Sequence, residues 1–288
     1  MHLRNLTVGH RLPFRILSLL LLFLVAVFCL SAGNTQAAPW FQDGFEWSDV
    51  ATAISSGTYN DFNGDVTLST TYAHSGSKSA KFCYLNNEDS AWIQFDVPGM
   101  TAGANNGATH IFLRWWELRA PNYDWSGEKF NRVMGLQSNG NLTLDYPLGW
   151  EAQGGWGQPG TNDAGPIKMF GNSIYSNGIN IWSYSYAMPR VEWHAFEYEI
   201  KLNDVSSANG ETRLWIDDNL VAQATNIELR YANYTLDRVW IGGWYSGGND
   251  PEPSPTCRYV DDVAASTQII GSGADTTPPA APTGLGVQ

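Results

Sequence analysis

The chain has 288 residues, 43% of them hydrophobic and 15% charged, which is too little charge and too much apolar surface for a disordered protein. Thirteen Trp, thirteen Tyr and twelve Phe beside 29 Gly and 14 Pro favour short strands joined by tight turns and disfavour a helical bundle. The formal charge of −12 lacks the basic surface that phosphate neutralisation needs, so nucleic acid is a poor partner.

Residues 1–38 read as a secretory signal peptide: Arg4, Arg11 and Arg15 with no acid, an apolar run from Ile16 to Leu30, then a small-residue stretch from Ser31 to Ala38. The apolar run is shorter than the ~20 residues that span a bilayer, and no basic stop-transfer cluster follows. Cleavage after Ala37 is expected to release a secreted, extracellular protein with no membrane contact. Losing three arginines leaves 13 cations against 28 acids, a charge of −15.

Residues 39–271 have the length of one β-sandwich domain. Strand-like alternation recurs at Val66–Thr71, Ser79–Tyr84, Ala91–Val97, His110–Arg119, Val133–Gln137, Asn141–Tyr146, Glu192–Leu202, Thr212–Asp217, Arg238–Trp244 and Arg258–Ser266. In the seventh of these, His194, Phe196, Tyr198, Ile200 and Leu202 share one parity. Glu197, Glu199 and Lys201 share the other, which reads as an exposed polar face. Between Pro147 and Arg190 the alternation dissolves into Gly, Pro, Asn and aromatics, which predicts a long, ordered, functional loop region.

Two cysteines, Cys83 and Cys257, remain after the leader, and in an oxidising compartment they are a disulfide candidate tying an early strand to a late loop. Asp43 and Glu46 near the start and Asp261 and Asp262 near the end are hard-oxygen candidates for a structural calcium, with solvated acids as the alternative. The segment from His74 to Ser79 reads as a structural turn.

Two stretches carry a family resemblance. The first is Tyr123-Asp124-Trp125 followed by Gly127-Glu128-Lys129 and Gly135-Leu136. The second comprises Trp193, Leu202-Asn203, Asn209-Gly210-Glu211, Leu214-Trp215-Ile216-Asp217, Asn226, Arg230, Ile241-Gly242-Gly243 and Tyr259-Val260-Asp261-Asp262. Together they resemble polysaccharide lyases of families 14 and 20 and heparin-lyase-like proteins. The resemblance implies an all-β fold, a concanavalin A-like jelly-roll sandwich of two antiparallel sheets. It departs at Gly127-Glu128-Lys129-Phe130, which keeps the Lys but lacks the second Gly and the Pro of the family pattern. The tail, residues 272–288, resembles a linker and the start of a fibronectin type III module.

β-Elimination of a uronate-containing glycan needs a cation to neutralise the carboxylate, a base for the adjacent proton and an acid for the departing oxygen. It requires no cofactor. Lys129 and Arg132 suit the first role, Arg132 as a bidentate fork. Tyr146, Tyr184, Tyr186 and His194 are candidates for proton transfer, and the spacing of Tyr184 and Tyr186 would place both phenols on one strand face. Each has a plain alternative as a packing or surface residue, and His194 sits in an apolar parity. Trp125, Trp150, Trp156, Trp182 and Trp244 are candidate stacking surfaces for sugar rings.

The leading expectation is a monomeric secreted lyase acting on an extracellular polysaccharide. A non-catalytic carbohydrate-binding module and a structural or adhesive surface module compete with it. Paired hydrolytic carboxylates are disfavoured, because Glu197 and Glu199 have Lys201 alongside.

Overall fold

The computed structural model describes residues 39–86, 90–97, 108–123, 128–129, 134–137, 149–152, 166–171, 179–185, 189–229, 235–245 and 255–271. In chain order the elements are β1 (Phe41–Asp43), α1 (Val50–Ser55), β2 (Asp61–Ser69), β3 (Ser79–Tyr84), β4 (Ser90–Asp96), β5 (His110–Arg119), β6 (Glu128–Lys129) and β7 (Met134–Gln137). There follow β8 (Gly149–Ala152), β9 (Pro166–Gly171), β10 (Ile179–Ser185), β11 (His194–Lys201), β12 (Gly210–Ile216), β13 (Asn219–Ile227), β14 (Thr235–Tyr245) and β15 (Thr256–Ser266). The short helix starts at Asp49, whose carboxylate accepts the Thr52 N–H at 2.7 Å. None of the described helices is long and apolar enough to cross a membrane.

Every pairing among the described residues is antiparallel. One layer runs β13-β12-β11-β5-β15-β3-β2 with β1 beside β15, and the other runs β2-β4-β14 with β6 and β7 on β14. Strand β2 belongs to both: Asp61–Gly64 pair with β4, and Asp65–Ser69 pair with β3. The corner turns at Gly64, where φ is +69° and a Cβ would stand 1.6 Å from the Ser90 carbonyl oxygen. Only glycine fits that approach.

The period of two decides what lies between the layers. Ile111, Leu113 and Trp115 of β5 meet Phe196, Tyr198 and Ile200 of β11 and Leu214 and Ile216 of β12 in one buried core. Ala91, Ile93 and Phe95 of β4 and Val239 and Ile241 of β14 enter the same core from the second layer. The β-sandwich expected from length and alternation, with the two antiparallel sheets that the resemblance implies, is therefore the architecture observed.

Strands at Ser79–Tyr84 and His110–Arg119 have the bounds read from the sequence. Three readings are corrected. The Pro147–Arg190 stretch contains a three-stranded sheet, β8-β9-β10, whose short runs among glycines hide their alternation. Strand β13, not read from the sequence, is exposed along much of its length, and two register shifts against β12 break its alternation. Cys257 lies inside β15, directly opposite Cys83 of β3, and the two form a disulfide with a Cα–Cα distance of 4.2 Å. The predicted strand at 141–146 and the tail at 272–288 lie outside the described residues.

Candidate functional site

The face of the β2-β4-β14 layer turned away from the core carries the opposite parity: Asp61 and Asn63 of β2, Trp92, Gln94 and Asp96 of β4, Arg238 and Trp240 of β14. Trp92 and Trp240 are half-buried diagonal neighbours, their rings 6.0 Å apart between centroids and 10° from parallel. Each holds its Nε1 hydrogen away from solvent, with no acceptor among the described residues. Gly242 is the register partner of Trp92, and a Cβ there would fall 2.3 Å from the Trp92 Cβ. Arg238 Nε donates to Asp96 Oδ1 at 2.8 Å across the pair β4-β14.

Strand β14 also fixes the register of two sequence candidates, because Trp244 is the partner of Lys129 in β6. Trp244 continues the parity of Trp240 and Gly242 along β14. In the three-stranded sheet, Trp150 of β8 and Trp182 of β10 are both partners of Met169 in β9. Tyr184 follows two residues beyond Trp182, so the backbone places Trp150, Trp182 and Tyr184 in one parity of one sheet. Trp125, Arg132, Tyr146, Trp156 and Tyr186 lie outside the described residues.

Trp92 and Trp240 were not among the candidates drawn from the sequence. Their signal was present in Ser90-Ala91-Trp92-Ile93-Gln94-Phe95-Asp96 and in Arg238-Val239-Trp240-Ile241, where a Trp occupies the polar parity between core residues. A tryptophan there is assigned to packing until a register sets it beside another.

His194 stands apart from this face. It opens β11 in the core parity, opposite Glu117 of β5, and its Nδ1 is 2.7 Å from Asp217 Oδ2. Glu117 is fully buried between Arg119 and Arg258, 2.5 and 3.3 Å away. Burial alone would raise its carboxyl, but the two guanidinium groups and the Trp115 indole outweigh this and hold it below the usual carboxylate range.

Glu197 and Glu199 do not form an exposed polar face; they are 1% and 3% exposed. Glu197 accepts from Arg114 at 3.0 Å and from the Ile270 and Gly271 N–H groups at 2.6 and 2.8 Å. Glu199 lies against His110 and Arg213, at 2.7 and 2.5 Å. Burial pushes Glu199 up, yet His110 and Arg213 bring it below its ordinary value. With their oxygens committed to these partners, the two carboxylates serve the sheet rather than a paired acid–base site.

Three of the four calcium candidates, Glu46, Asp261 and Asp262, bond one turn, and the fourth, Asp43, bonds its own neighbours. Asp261 Oδ2 accepts the His74 and Ser75 N–H groups at 2.7 and 3.2 Å, and Asp262 Oδ1 accepts the Ser75 hydroxyl at 2.6 Å. Glu46 accepts the Ser77 N–H, the Ser77 hydroxyl and the Lys78 N–H at 2.7, 2.6 and 2.9 Å. Asp43 accepts the Phe45 N–H at 3.1 Å and the Trp47 indole at 3.0 Å. Among the described residues no three His, Cys, Asp or Glu side chains gather as a metal site. As placed, these oxygens do not fit a calcium shell.

No protein-family model and no characterised protein sequence matches the chain. Solved structures do. An endo-β-1,4-glucuronan lyase from the fungus Trichoderma reesei is 9% identical with a TM-score of 0.56, covering 80% of this chain and 96% of that one. A marine family 14 alginate lyase from Aplysia kurodai is 13% identical, TM-score 0.56, over 81% of this chain and 100% of its own. An alginate lyase from a Chlorella virus is 12% identical, TM-score 0.56, over 75% and 96%. At such identities the likeness speaks to architecture: this chain has the antiparallel jelly-roll fold that these polysaccharide lyases share.

Proposed function

We propose that the protein is a secreted lyase that cleaves a uronate-containing polysaccharide by β-elimination. The observation that carries this reading is the register of β14, which pairs Lys129 with Trp244, four residues along from Trp240, in a fold shared with lyases. In the reaction, Lys129 and Arg132 neutralise the C5 carboxylate. A tyrosine, Tyr146, Tyr184 or Tyr186, removes the C5 proton, whose electron pair forms the C4–C5 double bond as the C4–O bond breaks. A second proton donor delivers a proton to the departing oxygen. His194, bonded to Asp217 in the core parity, is left out of this set.

The Trp92–Trp240 pair favours a second reading, a non-catalytic carbohydrate-binding module. The two are separated by incubating the protein with alginate, glucuronan, pectate and glycosaminoglycans while following the ultraviolet absorbance of the unsaturated product. The lyase reading expects a rise with at least one polymer and a loss of about 10²-fold or more in Lys129→Ala. Retention on a polymer without any rise would establish the binding module instead. Export is checked by N-terminal sequencing of the released protein, expected to begin at Ala38.

A further inference from the structure

We infer that the glycan taken by this face places uncharged pyranose residues beside its uronate, with an uncharged ring resting against the Trp92–Trp240 pair. The uronate rests on the lyase reading above; the uncharged neighbour rests on the described side chains alone. Among these, the face offers one cation, Arg238, and its Nε is engaged by Asp96 at 2.8 Å. Asp61 and Asp96 are both acidic, so this part of the face carries one negative charge in excess. A chain with a carboxylate on every sugar would bring like charge onto it, with the one described cation already paired to Asp96.

What the face does offer suits an uncharged ring. Two near-parallel indoles present apolar surface to the C–H face of a pyranose. Gly242, facing Trp92, is a position with no room for a side chain, so the two strands approach closely there. Along β14, Gly242 and Trp240 lie two and four residues from Trp244, the partner of Lys129. At ~3.4 Å per residue these are about 7 and about 14 Å from the Lys129 row, within one short oligosaccharide.

The test compares wild type, Trp92→Ala, Trp240→Ala and the two Phe variants on glucuronan, a homopolyuronate, and on hyaluronan and unsulfated chondroitin, in which glucuronate alternates with an uncharged sugar. Wild type is expected to show a higher kcat/KM on an alternating polymer. Each Ala variant should raise KM there about tenfold with kcat retained, and each Phe variant should keep the preference. Equal or better turnover of glucuronan, unchanged by the Trp variants, overturns the inference and leaves the lyase reading intact. If no polymer is cleaved, the lyase reading fails, and gel retardation of the whole protein decides the rest. Retardation by an alternating polymer that Trp240→Ala abolishes supports the uncharged subsite; retardation by glucuronan alone, or by none, overturns it.

Discussion

Arg190 Nη2 donates to the Tyr123 carbonyl oxygen at 2.7 Å. Tyr123 precedes the segment leading to Lys129 in β6, and Arg190 follows the segment leaving Tyr184 in β10, so one bond joins the roots of both. Arg119 lies over the Tyr123 ring, its Cζ 4.5 Å from the centroid, and its carbonyl accepts the Val191 N–H at 2.9 Å. Val191 has φ +63°, a left-handed conformation that costs a β-branched residue about 1–3 kcal/mol and persists because the surroundings hold it. Arg190→Ala should therefore destabilise by about 1.5–3 kcal/mol, the range for a bond to a charged donor. In lyase assays it should lower kcat more than it raises KM, and Arg190→Lys should restore part of the loss. Denaturant unfolding alongside steady-state kinetics checks both; an unchanged kcat at full loss of stability would make the bond purely structural.

The disulfide closes a sequence separation of 174 residues between β3 and β15. A loop that long restricts the unfolded chain strongly, and replacing both cysteines by serine should cost about 2–5 kcal/mol. Urea unfolding with and without reductant is the measurement. Reductant should lower the midpoint of the wild type and leave that of the double variant unmoved.

Glu117 lies between Arg119 and Arg258, within hydrogen-bond reach of both. Removing it takes a shared counter-charge from two buried guanidinium groups, so Glu117→Ala should destabilise by about 3–5 kcal/mol, well above the effect of an exposed Glu. Thermal unfolding reads this directly. A loss below about 1 kcal/mol would mean that other groups satisfy both arginines.

Asp261 is pushed up to about 8, first by burial and then by the Asp262 carboxylate, against backbone N–H donors from Asp262, His74 and Ser75 that lower it. Unfolded, it titrates near 3.8. Between these values the folded chain holds a proton that the unfolded chain has released, so this residue's contribution to stability falls as pH rises and is flat above about 8. Glu117 and Glu199 act with the opposite sign: both are lowered from 4.5, and their contribution is lost as pH falls below that value. The melting temperature should therefore peak on the acid side of neutral. Asp262→Asn, which removes the repelling charge, should flatten the decline at pH values inside the span that Asp261 covers, from 3.8 to about 8.

Much of the architecture was legible because two-fold alternation is a local property. In β5, Ile111, Leu113 and Trp115 announce a buried face with no help from the rest of the chain. The signal failed where alternation needs neighbours to interpret it. Glu197 and Glu199 look solvent-facing beside Lys201, yet Arg114, Arg213, His110 and the backbone at Ile270 and Gly271 cover and satisfy them. The acids at 43, 46, 261 and 262 are brought near one another because β1 and β15 pair, but what they meet is the turn from His74 to Lys78 and its surroundings.

By itself the sequence determined an acidic, aromatic-rich chain of short antiparallel strands, since composition and the period of two are written along the backbone. Only the tertiary structure decided that Cys83 faces Cys257, that Trp92 lies beside Trp240, and that Lys129 pairs with Trp244. The reason is register: which residues become neighbours across strands depends on how distant segments slide past one another, and the corner at Gly64 and the bulge between Asp261 and Ala264 set that slide.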